Sequence, residues 1–177
     1  MTDQTCDIRP ISPADLVHQF EDLCGLLRDC VQEGAAIGFL AAITQEEAER
    51  FWRRDIGAAL ASGERVLLGA YLGRRLVGTV QVILAMPQNQ PHRAEIAKMM
   101  VHPESRRRRV GHALMDRALA EARSAGRTLV TLDTRTGDVS ELFYGSVGFQ
   151  KAGVIPGYAY DPDGQTLHGT TLMYRAV

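Results

Sequence analysis

The stretch between residues 93 and 126 fixes more of the architecture of this chain than any other. Residues 93–101 read as a β-strand that His102-Pro103 stops. From Gly111 onward the period changes. Gly111, Leu114, Met115, Ala118, Leu119 and Ala122 mark one stripe of a helix, Asp116, Arg117, Glu121 and Arg123 lie off it, and Gly126 provides the stop. The short link between the two carries Arg106-Arg107-Arg108-Arg109. The first turn of a helix leaves backbone N–H groups unpaired, and the helix dipole adds positive potential there. Together they suit an anion, above all a phosphate. Gly111 allows close approach of a ligand or of the sheet, and the arginines add charge and forked donors. A solvated basic surface is the plainer reading of the same four arginines, and a nucleic-acid or membrane patch is a third. No aromatic residues interleave with them and no second basic cluster supports that third reading.

The remainder reads as a mixed α/β order. Residues 5–11 are a strand candidate. Ser12 offers an N-cap, Pro13 takes the first helical position, and Leu16, Phe20, Leu23, Leu27 and Cys30 recur at helical spacing up to Gly34. A small-residue loop follows over 34–39. Thr44 with Glu47 forms a capping-box pattern that opens a second helix ending near Ser62-Gly63. Residues 66–72 and 76–85 are β-like, with a hairpin at Gly73-Arg74, and 86–92 is a loop with two prolines. Strand 128–133, helix 139–147 and strands 149–155 and 170–175 complete the chain, the last two divided by a turn at 160–164. Such an order predicts one domain over residues 1–177, a mixed sheet with helices on its faces.

Composition excludes several classes. The chain has 177 residues, 45% of them apolar, which suits a globular domain. No run of about 18 apolar residues offers a membrane span. A formal charge of −1 argues against a nucleic-acid partner. Cys6, Cys24 and Cys30 read as free thiols of a reducing compartment, and the five histidines show no ligand spacing, so no metal is expected. Residues 1–10 lack the pattern of a secretory signal, which predicts a cytoplasmic protein. There is no triphosphate loop ending in Gly-Lys-Ser/Thr and no dinucleotide fingerprint after the first strand.

The stretch Met99-Met100-Val101-His102-Pro103 … Arg106-Arg107-Arg108-Arg109-Val110-Gly111-His112-Ala113-Leu114-Met115 resembles the acyl-CoA-binding motif of the GNAT N-acetyltransferases, Arg/Gln-x-x-Gly-x-Gly/Ala at a strand-to-helix junction. Arg106 takes its first place and Gly111 its last, while Arg109 stands at the middle glycine. A second register, Arg108-x-x-Gly111-x-Ala113, keeps that glycine and shifts the frame. Leu142-Phe143-Tyr144-Gly145-Ser146-Val147-Gly148-Phe149 resembles the tyrosine helix of the family and the Gly-Phe that ends it. Gly137 stands where an asparagine is common. Nearly the whole chain also resembles a narrower branch, the tabtoxin-resistance type, at residues 34–39, 93–95, 98–101, 132–134, 156–158, 162–164 and 167–168.

This resemblance implies a GNAT-like α/β (α+β) fold: a mixed, mostly antiparallel central sheet flanked by helices, with a splayed strand pair holding CoA. It implies acetyl-CoA as co-substrate, with Met99, Met100, Val101, Arg106, Arg107, Arg108, Arg109, Val110, Gly111, His112 and Tyr144 on its side. The implied activity moves the acetyl group to a primary amine of a small molecule, an amino-bearing toxin or antibiotic in the narrower branch, by direct attack on the thioester in a monomer or homodimer. An alkyl ammonium has a reference pKa of about 10.4, so a site of this kind must remove a proton. Glu95, in the strand that feeds the arginine turn, is the candidate base, and its other reading is a charged strand residue facing solvent or paired with Arg93. Asp133 orients the ammonium or shares the base role through water, or is merely a turn-forming residue. Tyr144 is implied as the acid that protonates the leaving thiolate. Residues 34–43, 86–92 and 157–168 are expected to form the acceptor side, where Asp161 and Asp163 would attract a cation or, on the plainer reading, are solvated turn residues. A protein N-terminal or lysine acetyltransferase, an enzyme for longer acyl chains and a non-catalytic CoA-binding sensor are the rivals. Arg109 and Gly137 keep the sensor open.

Overall fold

The computed structural model describes residues 6–177. Thr5, expected to open the first strand, lies outside them. Strand β1 (Cys6–Pro10) leads into α1 (Pro13–His18). The capping box forms as the residues suggest: the Asp15 N–H donates to Ser12 Oγ and the Ser12 N–H donates to Asp15 Oδ2, both at 3.1 Å. The periodicity predicted one helix up to Gly34. Instead the backbone leaves helical geometry at Gln19 (φ −106°, ψ 19°) and resumes as α2 (Phe20–Gln32). The side chain of Gln19 accepts a hydrogen bond from the Tyr71 hydroxyl of the sheet, so the break coincides with a helix-to-sheet polar contact that period alone does not encode.

The second helix starts at the Thr44–Glu47 box as α3 (Gln45–Arg50), widens into a π-helical turn over Phe51–Ile56 and ends as α4 (Gly57–Ala61). The wide turn sets Phe51, Trp52 and Ile56 into the core, where the indole N–H of Trp52 donates to Leu23 O at 3.0 Å. Strands β2 (Arg65–Leu72) and β3 (Arg75–Ile83) form the hairpin, and β4 (Arg93–Val101) has the bounds its sequence suggests. Helix α5 (Val110–Ser124), strand β5 (Leu129–Arg135), helix α6 (Val139–Ser146) and strands β6 (Gln150–Tyr160) and β7 (Leu167–Ala176) follow. The last two run further than expected, because their pairing continues to Tyr160↔Leu167 at the final turn.

These strands form one sheet in the order β1-β2-β3-β4-β5-β7-β6. Every neighbouring pair is antiparallel except β4 with β5. Helices α1–α4 bury Leu23, Leu27, Trp52 and Ile56 against Leu67, Tyr71 and Met100 on one face. Helices α5 and α6 bury Leu114, Met115, Leu119 and Tyr144 against Val80, Val82, Ile96 and Val130 on the other. Each such aliphatic side chain removed from water contributes about 1.5–3 kcal/mol before entropy is counted.

Two irregularities place the site. The β3–β4 register runs from Gln81↔Ala97 to Thr79↔Met100, so β4 carries a bulge at Lys98-Met99, and Lys98 takes a positive φ of 48°. The parallel pairing of β4 with β5 covers only Arg93↔Leu129, Ala94↔Val130 and Glu95↔Thr131. Past that row the two strands part and the sheet opens as a wedge. Gly78 lies under the bulge, where a Cβ would meet Met100 O at 2.8 Å and Leu114 Cδ1 at 3.1 Å. Gly78→Ala is therefore expected to destabilise the fold by about 1–3 kcal/mol in urea unfolding; an unchanged midpoint would contradict so close an approach.

Candidate active site

The wedge between β4 and β5 widens into a cleft of about 1260 Å³. One end lies at the start of α5. A 3₁₀ turn over Pro103–Ser105 leads to the arginines. Arg107 and Arg109 both have a φ of 60°, in the left-handed region that non-glycine residues avoid, while Arg108 between them does not. Arg109 is the N-cap of α5 and has no side-chain cap. The first α5 amide with a backbone partner is that of Ala113, which donates to Arg109 O at 3.1 Å. The N–H groups of Arg107, Arg108, Arg109, Val110, Gly111 and His112 have no acceptor among the described residues. Such a run of open amides at a helix start, shaped by alternating backbone hand, is a concave anion site. It also explains how the motif tolerates Arg109 in place of glycine: the turn needs a left-handed residue there, and the arginine adopts that conformation.

The structure brings most of the residues singled out in the sequence to this cleft. Met99, Met100, Val101, Arg106, Arg107, Arg109, Val110, Gly111 and His112 line it, as do Glu95, Asp133 and Tyr144. Arg108 does not: its side chain is exposed, and only its amide belongs to the open run. Arg106 is turned back to the strand, its Nε donating to Val101 O at 3.3 Å. The Met100 side chain is buried in the core beneath α2, which leaves its backbone for the cleft. At Gly111 an added Cβ would lie in ordinary contact with Met99 Cε at 3.4 Å and the Phe143 ring at 3.5 Å, so helix, bulge and α6 meet there. The His112 and Phe143 rings stack edge to face at 5.2 Å.

Tyr144 is only 9% exposed, packed between Phe143 and Phe149. It lines the cleft. Burial pushes its pKa well above the usual phenol range, and the Asp133 carboxylate adds to the rise. The phenol is therefore held in its neutral form. Asp133 is exposed to the cleft and accepts from Thr170 Oγ1 at 3.0 Å. Glu95 lines the cleft and also pairs with Arg93 at 3.3 Å.

The other end of the cleft is walled by residues 34–40, by Tyr158, Ala159 and Tyr160, and by His168. The two walls touch: the Ala41 N–H donates to Pro162 O at 2.7 Å, and Leu40 packs against Gly164. Residues 86–92 line none of it. Gln90 there accepts from Arg93 Nε at 2.8 Å, and Pro91 O accepts from Arg127. Asp161 and Asp163 are committed elsewhere. Arg135 grips Asp161 at 2.6 and 2.9 Å and holds its carboxyl below the ordinary range, while Asp163 accepts the Gln165 and Thr166 amides at 2.8 and 3.2 Å. His168 falls in the expected acceptor segment, whereas the wall residues Lys98 and Arg65 were not picked out as site residues from the sequence. Lys98 and Arg65 enter through the bulge and the strand register, and neither feature has a sequence signal of its own.

The split parallel pair thus has a run of open backbone amides at its mouth and a buried phenol inside it. Residues 39–149 match the Acetyltransferase (GNAT) family, and the chain belongs to that family. It is 30% identical over 138 residues to an uncharacterized N-acetyltransferase of Azospirillum brasilense encoded in the hisH–hisA intergenic region, a match covering 76% of this chain and 77% of that protein. Its fold is shared with a GNAT-family acetyltransferase from Streptococcus pneumoniae (TM-score 0.78, 20% identity, 98% of this chain and 100% of the other). It is shared too with yncA of Salmonella typhimurium, a putative acetyltransferase solved with its cofactor acetyl-CoA (TM-score 0.76, 15% identity, 97% and 94%).

If the amides do the holding, Arg109→Gly relieves a left-handed side chain and should stabilise the fold by about 1 kcal/mol. Affinity for CoA should then fall less than about tenfold, the loss of one exposed charge. A loss beyond that, read by calorimetry, would assign the binding to the guanidinium instead.

Proposed function

We propose that the chain transfers the acetyl group of acetyl-CoA to a primary amine on a small molecule. The observation that carries the donor half is the run of open amides from Arg107 to His112 at the mouth of the split sheet. These amides would hold the diphosphate, and the unpaired edge of β4 past Glu95 would take the pantetheine arm. When bound, the donor supplies the thioester carbonyl that the amine attacks. The observation that favours a small acceptor is the contact of the two walls through Ala41 and Pro162, which ties them together at the acceptor end. A protein substrate would need that end open. The narrower resemblance to the tabtoxin-resistance type places amino-bearing toxins and antibiotics among the acceptors to screen.

In this reading Glu95 takes the proton from the attacking amine, directly or through a water that it shares with Asp133. As the new N–C bond forms the C–S bond breaks, and the Tyr144 phenol gives its proton to the departing sulfur. No covalent bond to the protein is needed. Much of the acceleration comes from holding amine and thioester together in one cleft. His112 and Phe143 pack edge to face at the donor wall.

Free-thiol release from acetyl-CoA over a panel of amines tests the activity, with release expected only when an amine is present. Binding of CoA without amine-dependent release would make the protein a sensor. Tyr144→Phe should lower kcat by about a hundredfold or more while leaving acetyl-CoA affinity within a few-fold. Because burial keeps this phenol protonated beyond its usual range, kcat should show no falling limb below about pH 10. A wild-type rate in Tyr144→Phe removes Tyr144 as the acid.

A further inference from the structure

Two cations on the acceptor side of the cleft lack an acidic partner. In the sheet register Arg65 faces Ile83, Ile83 faces Glu95 and Glu95 faces Thr131, so these side chains share one face of the sheet, and Asp133, two residues beyond Thr131, shares it too. On this face Arg93 is paired with Glu95. Arg65 is not paired. Its Nη1 donates to Gln81 Oε1, its Nε is buried with no acceptor, and no carboxylate lies within 4.0 Å among the described residues. Glu95 and Asp55 act on it only from longer range.

Lys98 projects from the bulge. Its Nζ donates to Ile37 O at 2.5 Å, and Gly38 makes room for it, since a Cβ there would lie 2.9 Å from Nζ. An ammonium has three donors, and the other two here have no acceptor among the described residues. Again no carboxylate lies within 4.0 Å, Asp133 acting only at a distance. Both residues line the cleft. Half-buried cations with open donors and no counter-charge are unfavourable unless an anion joins them. The same wall presents Glu95 and Asp133, which suit an ammonium. The face is thus charged in two parts, one acidic and one basic.

We propose that the acceptor is an amine that also bears a carboxylate, an amino acid or the end of a short peptide, with its carboxylate on Arg65 and Lys98 and its amine toward Glu95 and Asp133. This rests on the acetyl transfer proposed above and adds the chemical class of the acceptor. With Nη1 on Gln81 and Nε buried, Nη2 is the Arg65 donor left for a carboxylate, and Lys98 lines the same cleft as a second cation.

Matched pairs test it on the wild-type enzyme: lysine against cadaverine, glycylglycine against its C-terminal amide, β-alanine against 2-aminoethylphosphonate. Transfer is read by thiol release, and acceptor binding separately by calorimetry on the CoA-bound protein. The carboxylate member of each pair should bind at least about tenfold tighter and show the lower KM, the worth of one charge-assisted contact. Arg65→Gln and Lys98→Met should each reduce the lysine-to-cadaverine ratio about tenfold. Should either variant fail to fold, the wild-type pairs decide alone. Equal affinity within the carboxylate–amide and lysine–cadaverine pairs would overturn the inference while leaving acetyl transfer standing. A preference for the phosphonate would overturn the choice of carboxylate. Absence of transfer to every amine would remove the underlying activity, and the calorimetric comparison would still accept or reject the basic subsite.

Discussion

The parting of β4 from β5 after three parallel pairs is the constraint on which the rest of this structure depends. A strand edge without a neighbour leaves peptide groups that need partners, and proteins seldom tolerate one inside a sheet. Here the opening is built in from both sides. The bulge at Lys98-Met99 turns β4 away from the β5 line, and Gly78 lets the bulged Met100 carbonyl settle close to β3. The strand then runs into a turn whose amides are open as well. The unpaired stretch of β4 past Glu95 and, beyond the bonded turn at 101–106, the open amides from Arg107 to His112 are two places that an extended ligand with a diphosphate end would complete. Strain at Arg107 and Arg109 is retained at that place and nowhere else on the helix.

The two ends of the cleft differ in their electrostatics. The α5 end is positive through backbone dipoles and needs no particular side chain. The other end is a mosaic of Glu95, Asp133, Arg65 and Lys98 on one sheet face, with His168 and the Arg135–Asp161 pair on the far wall. Between them sits Tyr144, whose neutrality follows from the aromatic packing of α6 against Phe149. In the proposed reading donor recognition rests on backbone geometry, while acceptor choice would rest on side chains of the other end.

How much of this the sequence reveals follows a physical line. Local rules predict the N-cap at Ser12, the capping box at Thr44, the β2–β3 hairpin, both ends of β4 and the helix that runs from about Gly111 to its glycine stop, because neighbouring residues decide each of them. The donor side is legible for the same reason: strand, turn and helix are contiguous. What escapes is set by contacts distant in sequence. The break at Gln19 accompanies the Tyr71 contact, and the π-helical turn serves the burial of Trp52. The bulge at Lys98 is fixed by register with β3, and only that register puts Arg65 on the face of Glu95. Asp161 looks free in the sequence because Arg135 lies in another strand. Residues 86–92 look like an acceptor loop because composition marks them as a loop without saying which end of the sheet they serve.

The central claim is that backbone amides at the head of α5 recognise a diphosphate. Calorimetry comparing CoA with pantetheine, which has the same arm and thiol but no phosphate, tests it directly. CoA should bind at least about a hundredfold more tightly than pantetheine, with the difference shrinking as salt rises. Equal affinity for the two, or no measurable binding of CoA, would contradict this account of the cleft.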